Sequence, residues 1–261
     1  MIALVRAELQ KLFTTRLWWA MLIAMLLYTG ANVGLITAVA GVETAQGASG
    51  VPGRDTIHFQ QLVWSLGVGA TVFTMIVGIV MMTAEYRYQT VTGTFLVTPR
   101  RGRVVAAKLL AGVVVGVLYG LATLLLTAAV VIPAVMLSGG EVVLFGEGVP
   151  RIMLGVLAAL TLYVLFGIGL GALIRNQVGA IIGGIVWVFL IEALLANLPP
   201  LQTVGKWTPG GAANSLINVR IDTGFGEADL LPAWAAAAVL IGYAVIFSLV
   251  ASQTTVRRDI T

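Results

Sequence analysis

Residues 152–174 read Ile-Met-Leu-Gly-Val-Leu-Ala-Ala-Leu-Thr-Leu-Tyr-Val-Leu-Phe-Gly-Ile-Gly-Leu-Gly-Ala-Leu-Ile, an uncharged run bounded by Arg151 and Arg175. A helix crossing a hydrocarbon core of about 30 Å needs about 20 largely apolar residues, so this stretch predicts a membrane span. The same signal recurs at Leu17–Val42, Thr56–Ala84, Leu109–Gly140 and Leu230–Val256, and at Gln177–Leu198 with Glu192 as its one interruption. None of these runs shows the period-two alternation of a transmembrane barrel strand. The expected fold is therefore all-α, a polytopic membrane protein with six transmembrane helices at about 17–42, 60–84, 107–137, 152–174, 177–198 and 231–254, forming one domain over 1–261.

The whole composition agrees. Of 261 residues, 59% are hydrophobic and 10% charged, with a mean hydropathy of +1.01. Soluble domains average about 25% charged residues, and this chain has too few to coat a water-facing surface. Cysteine is absent, which excludes a disulfide framework, a thiolate metal site and a thiol nucleophile. A single histidine, His58, excludes a multi-histidine metal centre.

A net charge of +4 and a pI near 9.7 would suggest nucleic acid in a soluble chain, so the placement of the bases decides. With both termini in the cytoplasm, Arg6, Lys11, Arg16, Arg87, Arg100, Arg101, Arg103, Lys108, Arg175, Arg257 and Arg258 lie inside, and only Arg54, Arg151, Lys206 and Arg220 outside. Acids lean the other way, with only Glu8, Glu85 and Asp259 inside. The positive-inside rule accounts for the bias, and no nucleic-acid partner is expected. Trp18, Trp19, Tyr86, Tyr88, Trp64 and Trp234 fall at span ends, where aromatic belts form. Tyr119, Tyr163 and Trp187 fall deeper, as packing residues or as a ligand-facing wall.

Before the first span, Leu4, Val5, Leu9, Leu12 and Phe13 are interleaved with Arg6, Glu8, Gln10 and Lys11, which predicts an amphipathic interfacial helix over 1–16. Ala38-Val39-Ala40 resembles a signal-cleavage site, but the apolar stretch before it exceeds the roughly 7–15 residues of a signal core, so the segment is retained as structure. Small residues recur four apart at Gly30/Gly34, Gly112/Gly116/Gly120, Gly167/Gly171 and Gly179/Gly183, as packing seams or a path lining. Gly47-Ala48-Ser49-Gly50 spells an intramembrane serine-protease motif, yet it sits in a polar loop with only His58 as a partner. No Gly-x-x-x-x-Gly-Lys-Ser/Thr occurs, so the chain does not cradle nucleotide through a phosphate-binding loop.

Glu192 is the unusual residue within a span. A mid-span carboxylate costs roughly 2.5–3.5 kcal/mol on insertion scales, which a partner or a function offsets. Lying about two turns before Pro199, it is read either as a structural or interfacial residue or, with Trp187, as part of a substrate path. The outer loop, 199–229, contains Pro199-Pro200 and Trp207-Thr208-Pro209-Gly210-Gly211, and a short helix over Ala212–Val219 is expected after the Pro-Gly break.

The inner loop 85–108 opens Glu85-Tyr86-Arg87-Tyr88-Gln89-Thr90-Val91-Thr92-Gly93-Thr94, and Pro99 ends a short helix before Arg100-Arg101-Gly102-Arg103 and Lys108 lead into the third span. Glu8–Arg16 and Glu85–Lys108 resemble the pattern of the permease subunits of type-2 ABC exporters, a surface helix before the first span, an acid followed by Gly-Thr after the second, a leucine pair or triplet, then Pro, Ser/Arg and a lysine entering the third, and Pro209–Ala213 resembles their Pro-Gly-x-Ala motif. Gln89 departs from the glycine usual there.

That resemblance implies a subunit without its own nucleotide site, served by separate cytoplasmic ABC ATPases that hold ATP and magnesium. It implies a second permease copy, as a homodimer or a related heterodimer, and a short cytoplasmic coupling helix in 85–108. Glu85, Arg87, Thr90, Thr94, Pro99, Arg100, Arg101 and Arg103 would make the ATPase contact, with Glu85 and the arginines paired to charges on the ATPase or on the N-terminal helix. The expected activity is export of a hydrophobic or amphiphilic substrate, such as a drug, an antibiotic or membrane lipid. Two rival classes are an intramembrane or lipid-modifying enzyme and a non-transporting membrane anchor.

Overall fold

Apolar runs this long satisfy their backbone polar groups by closing into helices, since lipid supplies no hydrogen bonds. In a computed structural model describing residues 1–42, 50–88, 101–174, 176–198, 201–218 and 230–254, every regular element is helical. Six helical segments are long and apolar enough to cross a membrane: Leu17–Val39, Ile57–Arg87, Gly102–Leu137, Val149–Leu173, Gln177–Leu195 and Ala233–Val250. They are the first to sixth spans below. An N-terminal helix, Ile2–Phe13, precedes them, and an outer helix, Pro209–Ile217, lies between the last two.

The fourth span is the axis of the bundle and packs against the second, third and sixth. Windows in the second and fourth spans are 67% and 61% buried, against 17% in the first and fifth, which therefore form the periphery. Glycine sets the closest approaches. A β-carbon on Gly78 or Gly167 would collide with the backbone of Val164 or Met75, so the second and fourth spans touch main chain to main chain. Gly112, Gly116 and Gly120 likewise face Ile168, Thr161 and Leu157 of the fourth span. Gly34 meets nothing within 4 Å and Gly183 only Ile174 at 3.9 Å, so glycine spacing alone does not mark a seam.

Several local features differ from the sequence expectation. The second span is two helices, Ile57–Ser65 and Thr71–Arg87, joined by a 3₁₀ turn over Leu66–Ala70. The third helix starts at Arg101 and runs 37 residues to Leu137, about 55 Å at 1.5 Å per residue, so it outreaches a 30 Å core. Lys108, Arg101 and Arg103 thus belong to that helix. Trp64, expected at an interface belt, is 1% exposed and packs with Val149 and Ile152 at the start of the fourth span. Pro209 opens the outer helix rather than breaking before it, because proline lacks only an N–H that the first turn leaves unused. Thr208 caps that helix by accepting from the Gly211 N–H at 3.2 Å.

Polar contacts tie the spans at both ends. At one end Arg54 donates to the Thr37 carbonyl at 2.8 Å, serving the last turn of the first span. There Gln60, 1% exposed, donates to the Glu141 carbonyl at 2.8 Å and accepts from the Val143 N–H at 3.0 Å. At the other end, Asn176 caps the fifth span by accepting from the Gly179 N–H at 3.0 Å, which makes the turn from the fourth span tight.

Candidate functional site

The N-terminal helix turns one face inward, with Val5, Leu9 and Leu12 packed on the core. Glu8 lies on that face, one turn before Leu12, and is buried. Alternation alone groups Glu8 with the polar residues; the helical period groups it with Leu12. Its burial follows from what waits beneath it. Lys108, on the inward face of the third helix with Val104 and Ala111, is 2% exposed.

Lys108 Nζ donates to Glu8 Oε2 at 2.6 Å, to Glu85 Oε1 at 3.1 Å and to the Met81 carbonyl at 3.3 Å, which uses all three of its protons. Lys11 Nζ donates to Glu8 Oε1 at 2.7 Å and to Glu85 Oε1 at 2.6 Å. Two acids and two bases thus form a neutral, hydrogen-bonded set joining the N-terminal helix, the end of the second span and the start of the third. Each charge would be costly to bury alone. Burial by itself lowers the Lys11 pKa, but the hydrogen bonds and attraction of Glu8 and Glu85 together outweigh it and hold the group above its ordinary 10.5. Lys11 therefore stays charged throughout the neutral range.

The cluster borders a pocket of about 120 Å³ whose rim includes Arg87, Tyr88 and Gln177. That is below the roughly 300–1,000 Å³ of sites for drug-sized ligands, so the feature is a joint rather than a substrate cavity. Arg87 donates to Gln177 Oε1 at 3.4 Å, linking the second span to the start of the fifth.

Of the residues expected to meet an ATPase, Glu85 faces inward onto Lys11 and Lys108, while Arg103 is exposed on the third helix. Arg101 begins that helix, and only its backbone is described. Thr90, Thr94, Pro99 and Arg100 lie outside the described residues, as do Ser49 of the protease-like motif and residues 219–229 of the outer loop. The pairing of Lys108 with Glu8 escaped the sequence reading. A signal for it existed: among eleven inner bases only three acids occur, and two of them are Glu8 and Glu85.

Glu192 and Trp187 are brought together at the other end of the fifth span. Residues Trp187–Ile191 form a π-helical turn, after which Glu192 starts the helix Glu192–Asn197. Trp187 Nε1 donates to Glu192 Oε1 at 2.8 Å, and the Gly210 N–H donates to the same oxygen at 2.9 Å. Tyr119 and Tyr163 are each 1% exposed and serve packing, Tyr119 donating its hydroxyl to the Trp18 carbonyl and Tyr163 lying at a tilt against the Phe166 ring.

A family model described as ABC-2 family transporter protein matches residues 4–192. The match runs from the N-terminal helix to Glu192 and takes in the whole four-charge cluster. No curated protein matches the chain.

Proposed function

The chain belongs to the ABC-2 family of transporter proteins and is a multi-pass membrane protein, and from that premise we propose that it is the permease subunit of an ATP-driven exporter. Hydrolysis is assigned to a separate cytoplasmic ABC ATPase, which would hold ATP and magnesium. The chain's lack of a phosphate-binding loop supports that division. The end bearing Arg6, Lys11, Arg87, Arg103 and Lys108 is the cytoplasmic one, with both termini on that side of a bacterial inner membrane.

The observation that carries the reading is the four-charge cluster. It joins the two helices flanking residues 89–100, which end at Arg87 and begin at Arg101, to each other and to the N-terminal helix. That helix passes through Thr14–Arg16 directly into the first span, and Trp18 Nε1 stiffens the corner by donating to the Phe13 carbonyl at 3.0 Å. A push on residues 89–100 would therefore move the first three spans together. This is how nucleotide-driven closure of an ATPase would bias a bistable membrane assembly.

The first and fifth spans, the least buried, would face a second permease copy, identical or related, with the path between the copies. Ile23, Leu27, Leu35, Ile182, Phe189 and Leu190 are exposed on them, an apolar lining suited to a hydrophobic or amphiphilic substrate such as a drug, an antibiotic or a lipid. The test is reconstitution of the chain with its ATPase in sealed vesicles. ATP added on the ATPase side should drive a fluorescent amphiphile to the opposite side, and movement indifferent to ATP would refute the proposal.

A further inference from the structure

In an α-helix, side chains five positions apart diverge by about 140°, since each residue turns the chain by 100°. Trp187 and Glu192 meet because the turn between them is π-helical, closed by the Glu192 N–H donating to the Trp187 carbonyl. The side chains return the contact, Trp187 Nε1 to Glu192 Oε1 at 2.8 Å. Backbone and side chain thus lock the same wide turn from both ends.

The carboxylate does a second job. Gly210, whose N–H reaches Glu192 Oε1 at 2.9 Å, is in the first turn of the outer helix Pro209–Ile217. A β-carbon at Gly210 would collide with Glu192 Oε2, so the carboxylate fills the space that any larger residue would need. The outer helix in turn buries Ala212, Ala213, Leu216 and Ile217 against the fourth and sixth spans. Leu216 contributes its carbonyl to a contact so close that Gly155 of the fourth span has no room for a side chain. From the sixth span, Tyr243 donates to the Trp207 carbonyl at 3.4 Å.

We propose that Glu192 is a latch. It acts as a hydrogen-bond acceptor rather than as a charge that meets substrate, pinning the first turn of the outer helix to the π turn of the fifth span, and its release loosens that end of the helix where it packs on the fourth and sixth spans. Conversion of the π turn to α geometry turns the following segment by about one residue, or 100°, which carries the carboxylate away from both donors. A small change in the fifth span thereby releases its tie to the outer helix. The latch is a property of this chain alone; its use as the outer closure of a transport path rests on the permease reading.

The chain contains no cysteine, so Ala213→Cys introduces a single thiol at a position only 2% exposed. Its reaction with a maleimide, measured in nanodiscs where both faces are open, reports release of the outer helix. Glu192→Ala should accelerate labelling about tenfold or more, as expected for losing the two hydrogen bonds to one acceptor. Glu192→Gln keeps a carbonyl that accepts both bonds and should label as slowly as the parent. Trp187→Phe keeps an aromatic side chain but loses the indole N–H and should also accelerate labelling. Unchanged labelling in Glu192→Ala would overturn the latch, and fast labelling in Glu192→Gln would overturn the acceptor role in favour of the charge. Should Glu192→Ala fail to insert, Trp187→Phe decides, with slow labelling counting against the latch. Failure of ATP-driven transport alongside the expected labelling pattern would remove the permease reading and leave the latch standing.

Discussion

Lys108 Nζ lies 2.6 Å from Glu8 Oε2, joining two residues one hundred positions apart in the interior of the protein. The pair makes the N-terminal helix part of the bundle rather than an appendage on its surface. Removing either partner leaves the buried set one charge out of balance, and such losses cost about 3–5 kcal/mol. Lys108→Met should therefore lower the unfolding free energy of the purified protein in micelles by about that amount. Glu8→Gln with Lys108→Met should cost less than the two single changes added, by about 1–3 kcal/mol. Additive denaturation results would show that the two groups do not interact.

Lys11 predicts a pH dependence of definite sign. Its pKa is raised in the folded protein, with burial, which lowers it, outweighed by Glu8 and Glu85. The stabilisation is fully present below the unfolded value, near about 10.5, and disappears as pH rises through the higher folded value. The melting temperature of wild type minus that of Lys11→Met should hold steady up to about pH 10 and shrink above it. A difference that instead vanished on acidification from pH 8 to 6 would contradict the assignment.

The glycine seam separates positions that look alike in sequence. Gly78→Val drives a side chain into the Val164 carbonyl and the Ile168 N–H and should destabilise by more than about 2 kcal/mol. Gly34→Ala meets nothing within 4 Å and should be neutral or stabilising by up to about 1 kcal/mol from helix propensity. Thermal unfolding of the two variants side by side checks the contrast. Equal melting temperatures would dissolve the seam.

Six membrane-crossing helices were legible because apolar runs such as Ile152–Ile174 admit few other structures in lipid. The departures are decided by contacts that sequence periodicity does not contain. The 3₁₀ turn at Leu66–Ala70 sits where Gly67 must pass Val156, and the π turn at Trp187–Ile191 is locked by a bond to Gly210, eighteen residues beyond Glu192. Trp64 reads as a belt residue until the fourth span is laid against it. Glu8, Glu85 and Lys108 were each visible as charges beside apolar runs. That they neutralise one another depends on three helices meeting at one end of the bundle. Glu192 was legible as an anomaly, and its partner Gly210 was not, because a glycine N–H carries no side-chain signature.

In the proposed transporter a separate ATPase would act on this chain through the helices flanking residues 89–100 and the cluster behind them. The most direct measurement is ATP hydrolysis by the ATPase that co-purifies with the affinity-tagged chain from native membranes, comparing wild type with Arg103→Glu. Arg103 is exposed, so the change should leave unfolding within about 0.5 kcal/mol of wild type. An ATPase with a phosphate-binding loop should co-purify, and its amphiphile-stimulated hydrolysis should fall several-fold with Arg103→Glu. Purification of the chain without any ATPase, or stimulation unchanged by Arg103→Glu, would contradict it.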